Sequence, residues 1–329
     1  MMKIGVFGAG HLGRIHIKCL KNIENVEIVG FYDQNEAVRK EVSKNFGVTG
    51  FEDATALIAQ SDAIDIVTPT LSHHEVAMQA LKAKKHVFIE KPITATLREA
   101  KEILDYSQQH DLKVQIGHVE RFNDAFLSAK PYLHQPMFIE CHRLAEFNPR
   151  GTDVSVVLDL MIHDIDIVLH TVASPIKHIS ASGVAIVSDT PDIANARLEF
   201  ENGCTANLTA SRISIKNMRR TRMFQKNAYI TIDFLEKKTN VMQIRDLLPE
   251  DEYALLPLII DLGENKGKKR ILIETPTPPK VNAIEMELSL FIQSVIENKA
   301  CEVSVYDGYN ALDIAYQIMD KFIPTKPIV

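Results

Sequence analysis

Only four cysteines occur in the 329 residues, Cys19, Cys141, Cys204 and Cys301, and no two of them form a CxxC pair. That spacing offers neither a zinc knuckle nor a redox dithiol, and a chain this long does not depend on disulfide staples. Reduced thiols in a cytoplasmic protein are the expectation. No run approaches the roughly 18 apolar residues of a membrane span. The first apolar run, Ile4 to Phe7, is too short for a secretory signal core. No membrane association is expected. Excess positive charge is missing as well: the net charge is -6, so the overall field repels a phosphate backbone and nucleic acid is not an expected partner. Any anionic ligand must be caught by local chemistry. No internal repeat or long low-complexity linker divides the chain.

Hydrophobic residues make up 46% and charged residues 24%, the balance of a folded chain, and the length suits two domains of about 150 residues each. From residue 3 to about 120, short β-branched or apolar runs alternate with amphipathic helical stretches. The runs are Lys3 to Phe7, Glu27 to Tyr32, Ala63 to Val67, His86 to Ile89 and Lys113 to Ile116. Stretches such as Glu75 to Lys84 and Leu97 to His110 are long enough for the crossovers that parallel pairing requires. A doubly wound parallel sheet is predicted.

Beyond residue 123 the pattern changes to alternating segments at 136–144, 176–187, 194–200, 204–211 and 228–234, with a turn at Glu201-Asn202-Gly203. These predict a mostly antiparallel sheet. Helices are predicted over 154–171, 282–298 and 307–322, while 247–279, rich in turn residues, reads as a long hairpin or irregular segment. The predicted fold class is α/β, with one domain over 1–122 and a second over 123–329.

The opening strand runs into Gly8, Gly10 and Gly13 at the start of a helical pattern. The first glycine permits a tight turn, the second lets backbone approach a pyrophosphate, and the third lets helix pack on strand. His11 and Leu12 complete that loop. Asp33 ends the second strand about 20 residues past Gly13, where a carboxylate can accept hydrogen bonds from a ribose diol and repels a 2′-phosphate. The cofactor predicted is therefore NAD. Thr68, Pro69 and His73 follow the fourth strand, and Glu90 and Lys91 the fifth, at the end of the sheet where ligands bind. Pro92 restrains the direction in which Lys91 emerges, and an ammonium there can polarise a hydroxyl or carbonyl.

In VVLDLMIHDIDIVLH, Asp159 and His163 are spaced i, i+4 and share a helix face. A carboxylate beside an imidazole is an acid/base unit: the imidazole takes a proton near neutrality and the carboxylate stabilises the imidazolium. No third ligand has convincing spacing, so no metal is expected.

GAGHLG, TPTLSHHEVAMQAL, EKPI and DLMIH together resemble the Gfo/Idh/MocA family over essentially the whole chain. The resemblance implies a Rossmann domain, a C-terminal α/β domain with an open sheet, and hydride transfer between NAD and a sugar or cyclitol carbon. It also implies catalytic roles for Lys91, Asp159 and His163, and assembly as a homodimer or homotetramer. HVERFN and HRLAEFNPRGTDVSVVLDLMIHDID are similar to the branch containing UDP-N-acetylglucosamine 3-dehydrogenases. On that resemblance the substrate is a nucleotide sugar oxidised at C3. Arg121, Asn123, Arg143 and Arg150 are then expected to present donors to a diphosphate or a polyhydroxylated ring. The alternatives are a dehydrogenase of a free cyclitol or monosaccharide and a non-catalytic dinucleotide sensor.

Overall fold

In a computed structural model of the chain, residues 1–148, 154–249, 251, 258–263 and 267–322 are described. One compact unit comprises Met1–Phe122 with Val281–Ile314, and the other comprises Asn123–Lys280 with the chain from Ala315 onward.

The first unit contains β1 (Met2–Phe7), α1 (His11–Leu20), β2 (Val26–Tyr32), α2 (Glu36–Phe46), β3 (Gly50–Phe51), α3 (Ala54–Gln60), β4 (Ala63–Ile66), α4 (His73–Lys82), β5 (His86–Glu90), α5 (Leu97–Gln109) and β6 (Val114–Gly117). Its six strands lie in the order β3-β2-β1-β4-β5-β6 and every pair is parallel. The order reverses beside β1, which makes the crevice at the strand ends a ligand site by topology alone. β4 and β6 are buried at every position, and β1 at all but Lys3, because helices cover both faces of the sheet. Side chains cap the helices locally: Asn35 accepts from Ala37 N–H and Asp53 from Thr55 N–H, while Thr96 and Glu99 form a capping box.

The sequence pattern assigned everything after residue 122 to the second domain, but residues 281–314 fold with the first unit. The reason is burial. Leu288, Phe291 and Ile292, on the helix Ala283–Ile296, enter the cluster formed by Ile4, Val6, Ile17, Leu20 and Phe88. Hydrophobic periodicity locates such a helix but does not name the surface it covers.

The second unit contains a short helix, Asp124–Ala129 (α6), then β7 (Pro136–Leu144), a π-helical turn Val157–Met161, and α7 (Ile162–Val172). There follow β8 (Ile176–Val184), β9 (Ile193–Phe200), β10 (Thr205–Ser211), β11 (Met218–Gln225), β12 (Ala228–Asp233), β13 (Lys238–Asp246), β14 (Leu258–Asp261) and β15 (Lys268–Glu274). The sheet order is β14-β15-β13-β12-β11-β7-β10-β9-β8. All pairs are antiparallel except β7 with β10. Alternation puts Ala194, Ala196, Leu198, Ala206, Leu208 and Ala210 on the buried face. Asn195, Arg197, Asn207 and Thr209 hydrogen-bond across the opposite face. The helix Val305–Met319 (α9, with Ala283–Ile296 as α8) completes the elements.

Candidate active site

The dinucleotide site lies wholly in the first unit. Gly8 has φ +92°, and a Cβ there would stand 2.6 Å from the Val67 carbonyl oxygen. Only glycine fits that turn. A Cβ on Gly13 would stand 2.0 Å from the Gly8 carbonyl oxygen, which is how closely α1 crosses the end of β1. Gly10, by contrast, has nothing within 4 Å and is exposed with His11; Leu12 is half-buried. Gly10 caps α1 with no side-chain bond to the first-turn amides, and no acidic residue stands in that turn. Those N–H groups and the helix dipole suit a pyrophosphate.

Asp33 is tied to this loop. Its Oδ2 accepts the Ala9 N–H at 2.9 Å and its Oδ1 the Asn35 N–H at 2.9 Å. A cleft of about 300 Å³ is lined by Phe7, Gly8, Tyr32, Asp33, Thr68 and Pro69 among others. Thr68 Oγ1 is buried and has no protein partner among the described residues. A glycine cradle, an uncapped helix start, a ribose-directed carboxylate and an unused hydroxyl together fit NAD.

His73 takes a different place from the one the sequence suggested. It is buried, and its Nδ1 lies 3.0 Å from the Pro92 carbonyl while its Nε2 lies 2.9 Å from the Thr68 carbonyl. Burial pushes its pKa below the ordinary imidazole value, against the pull of those carbonyls. The ring ties the Thr68 loop to the Lys91 corner instead of presenting itself to cofactor. Lys91 is half-buried, joined to Pro92 by a cis peptide bond, and its N–H donates to Glu90 Oε2 at 3.2 Å.

The second unit carries Asp159 and His163. Asp159 lies in the π-helical turn and His163 is the second residue of α7; both are half-buried. A regular helix was predicted across this stretch. The i→i+5 turn interrupts it at Asp159, a distortion that recurs at functional sites. Ser155 supports the turn by accepting the Val157 N–H at 3.2 Å.

The expected substrate donors are mostly used inside the fold. Arg143 is buried and grips Asp164 with two bonds, Nε to Oδ2 and an Nη2 bond to Oδ1, both 2.9 Å. Arg121 is buried and pairs with Asp307 at 3.2 Å. Burial pushes Asp307 up, but Arg121 and Ser304 outweigh it and hold the carboxyl below its usual range. Asn123 caps α6, accepting from Ala125 N–H at 3.0 Å and donating to the Phe234 carbonyl at 3.1 Å. Each of the three thus has a structural partner within the fold, where the sequence pattern suggested donors held open for a substrate. Arg150 lies outside the described residues. Arg220 and Arg222, within a basic run, pair with Asp233 and Glu140 along β11. The sequence reading did not single out Ser155 or the buried His16, for which only the position three residues past Gly13 was a signal. Among the described residues no helix is long and apolar enough to cross a membrane, and no three His, Cys, Asp or Glu are disposed to hold a metal ion.

Residues 2–118 match the family described as an oxidoreductase family with an NAD-binding Rossmann fold, and residues 115–230 match the GFO/IDH/MocA C-terminal domain. The chain is 38% identical over 245 residues to the UDP-N-acetylglucosamine 3-dehydrogenase of Acidithiobacillus ferrooxidans, covering 73% of this chain and 76% of that one. The solved structure of a UDP-N-acetylglucosamine 3-dehydrogenase from that organism superposes with a TM-score of 0.86 at 31% identity, over 98% and 97% of the two chains. The myo-inositol 2-dehydrogenase of Thermotoga maritima is 26% identical, over 73% of this chain and 78% of its own. The fold is shared with a scyllo-inositol dehydrogenase from Lactobacillus casei solved with NAD(H), at a TM-score of 0.76, 23% identity and 98% and 97% coverage. With its glycine cradle, Asp33 and NAD-fitting cleft, the chain is an NAD-dependent dehydrogenase and belongs to the Gfo/Idh/MocA oxidoreductase family.

Proposed function

We propose that the protein oxidises UDP-N-acetylglucosamine at C3 to the 3-keto sugar. The observation that carries this reading is the likeness to a UDP-N-acetylglucosamine 3-dehydrogenase over 98% of the chain at a TM-score of 0.86. His163 takes the hydroxyl proton. Asp159 orients the imidazole and stabilises the imidazolium that results. Lys91 polarises the reacting oxygen and favours its deprotonated form. Gly8 to Gly13 and Asp33 would hold NAD, which would supply the hydride acceptor.

A second reading, a dehydrogenase of a free cyclitol or monosaccharide, draws on the internal pairing of Arg121 and Arg143, which leaves fewer cations for a diphosphate. Turnover of UDP-N-acetylglucosamine, glucose and myo-inositol, followed at the nicotinamide absorbance, separates the two. A UDP-sugar response supports the first reading; inositol or glucose turnover alone supports the second. We also propose a cytoplasmic homodimer or homotetramer, built on the polar face of the nine-stranded sheet. Sedimentation equilibrium showing only monomer would exclude that assembly.

A further inference from the structure

The first unit buries a set of ionisable groups that the dehydrogenase reading leaves without a task. His16, on α1, is fully buried; its Nδ1 lies 3.0 and 3.2 Å from the two Asp65 oxygens, and its Nε2 lies 3.2 Å from Glu90 Oε1. The ring therefore stands between carboxylates on β4 and β5, the strands that lead to the Thr68 loop and to Lys91: it is hydrogen-bonded to Asp65 and paired by charge with Glu90, toward which Nε2 makes no aligned hydrogen bond. Burial opposes charge on His16, but Asp65 and Glu90 outweigh it and keep the imidazole protonated well above its ordinary range. Burial raises the Asp65 carboxyl, and the His16 charge pulls it back.

Glu287, facing this group from α8, is fully buried, and neither carboxyl oxygen has a hydrogen-bond partner among the described residues. Burial, then the Glu90 charge, pushes its pKa well above the ordinary carboxyl range, so it is held as the neutral acid. Gln115, on β6, donates to the Glu287 carbonyl at 2.7 Å, and the Phe88 ring stands edge-on to His16. Space around Glu90 is also closed: a Cβ on Gly117 would come within 2.9 Å of its carboxyl carbon.

A buried imidazolium between two carboxylates costs desolvation that apolar side chains of similar volume would avoid. What the arrangement supplies is orientation. Glu90 Oε1 faces His16, while Oε2 accepts the Lys91 N–H. We propose that His16 is a positioning residue for the reaction: by standing between Asp65 and Glu90 it fixes the Glu90 carboxylate and, through that carboxylate, the backbone direction from which the Lys91 side chain departs. This rests on the role proposed for Lys91.

The test is steady-state kinetics with NAD and the sugar that the unaltered enzyme oxidises fastest, on His16→Gln, Glu90→Gln, the double variant and Lys91→Ala. Affinity for NAD reports that each variant folds. Each single substitution at His16 or Glu90 is expected to lower kcat about tenfold, with KM and NAD affinity within about twofold, because the misplacement acts on the reacting geometry. The double variant is expected to be no slower than the slower single, since the two residues act through one contact. Losses that multiply to about a hundredfold, or a folded single variant with unaltered kcat, would overturn the inference. Glu90→Gln, nearly isosteric, carries the test if His16→Gln does not fold. A Lys91→Ala variant with unaltered kcat removes the Lys91 role and this inference together. A slow Lys91→Ala beside a fast Glu90→Gln removes the inference alone.

Discussion

The Asp33 carboxylate accepts the Ala9 backbone N–H at 2.9 Å, so the group placed to receive ribose hydroxyls also anchors the glycine turn. Nearby, Arg39 donates to the Asp33 carbonyl at 2.6 Å. Removing the carboxylate therefore loosens the turn and leaves a cation close to where a 2′-phosphate would sit. Asp33→Ser is expected to weaken NAD about tenfold, near 1.4 kcal/mol, and to raise the preference for NADP. Dissociation constants for both cofactors check this; an unchanged NAD to NADP ratio would count against the role given to Asp33.

Gly10 and Gly13 make opposite demands. Gly10 opens onto free space, so Gly10→Ala should leave stability within about 0.5 kcal/mol while obstructing the approach of the pyrophosphate and weakening NAD. Gly13→Ala puts a methyl group against the Gly8 carbonyl, and a loss of about 3 kcal/mol or more is expected. Urea melts with and without NAD distinguish the two effects.

Arg143 and Asp164 form a buried two-bond ion pair. Arg143→Ala leaves the buried Asp164 without its guanidinium, at an expected cost of about 3 to 5 kcal/mol. Denaturant midpoints measure it. The opposite result, full stability with a raised substrate KM, would return Arg143 to the substrate site.

These arginines show what a single sequence carries and what it withholds. The alternation of short strands and amphipathic crossovers, and the three glycines, are local patterns, and they made the parallel sheet and the cofactor cleft legible. The acid partners of Arg143 and Arg121 lie on other elements, Asp164 on α7 and Asp307 at the start of α9. An exposed guanidinium and a buried, paired one look alike along a chain. The same distance hides His16, whose neighbours Asp65, Glu90 and Glu287 come from β4, β5 and α8. In the second sheet, β11 was obscured because its charges Arg220 and Arg222 mask the alternation that Thr221 and Met223 supply on the buried face.

His16 also gives stability a pH dependence with a definite sign. Its folded pKa lies above the unfolded value of 6.5. Its contribution is therefore complete below about pH 6.5 and is lost as pH rises through the folded value. The stability gap between the unaltered protein and His16→Gln should narrow from pH 6 to pH 9, measured by thermal melts. Asp192 acts at the other end. It accepts the N–H groups of Ile186, Val187 and Ser188, and although burial opposes its charge, these bonds lower its pKa to about 2. Its contribution holds above the unfolded value of 3.8 and is lost as pH falls toward 2. Asp192→Asn should flatten that acid limb.

Turnover of UDP-N-acetylglucosamine, with the nicotinamide absorbance as readout, tests the central claim most directly when run on the unaltered enzyme beside His163→Ala and Lys91→Ala. The account expects reduction of NAD with formation of a 3-keto sugar. It expects a loss of about a hundredfold or more in kcat for His163→Ala, the scale of a missing general base. Turnover of myo-inositol or glucose with no response to any UDP-sugar, or a His163→Ala enzyme as fast as the original, would contradict it.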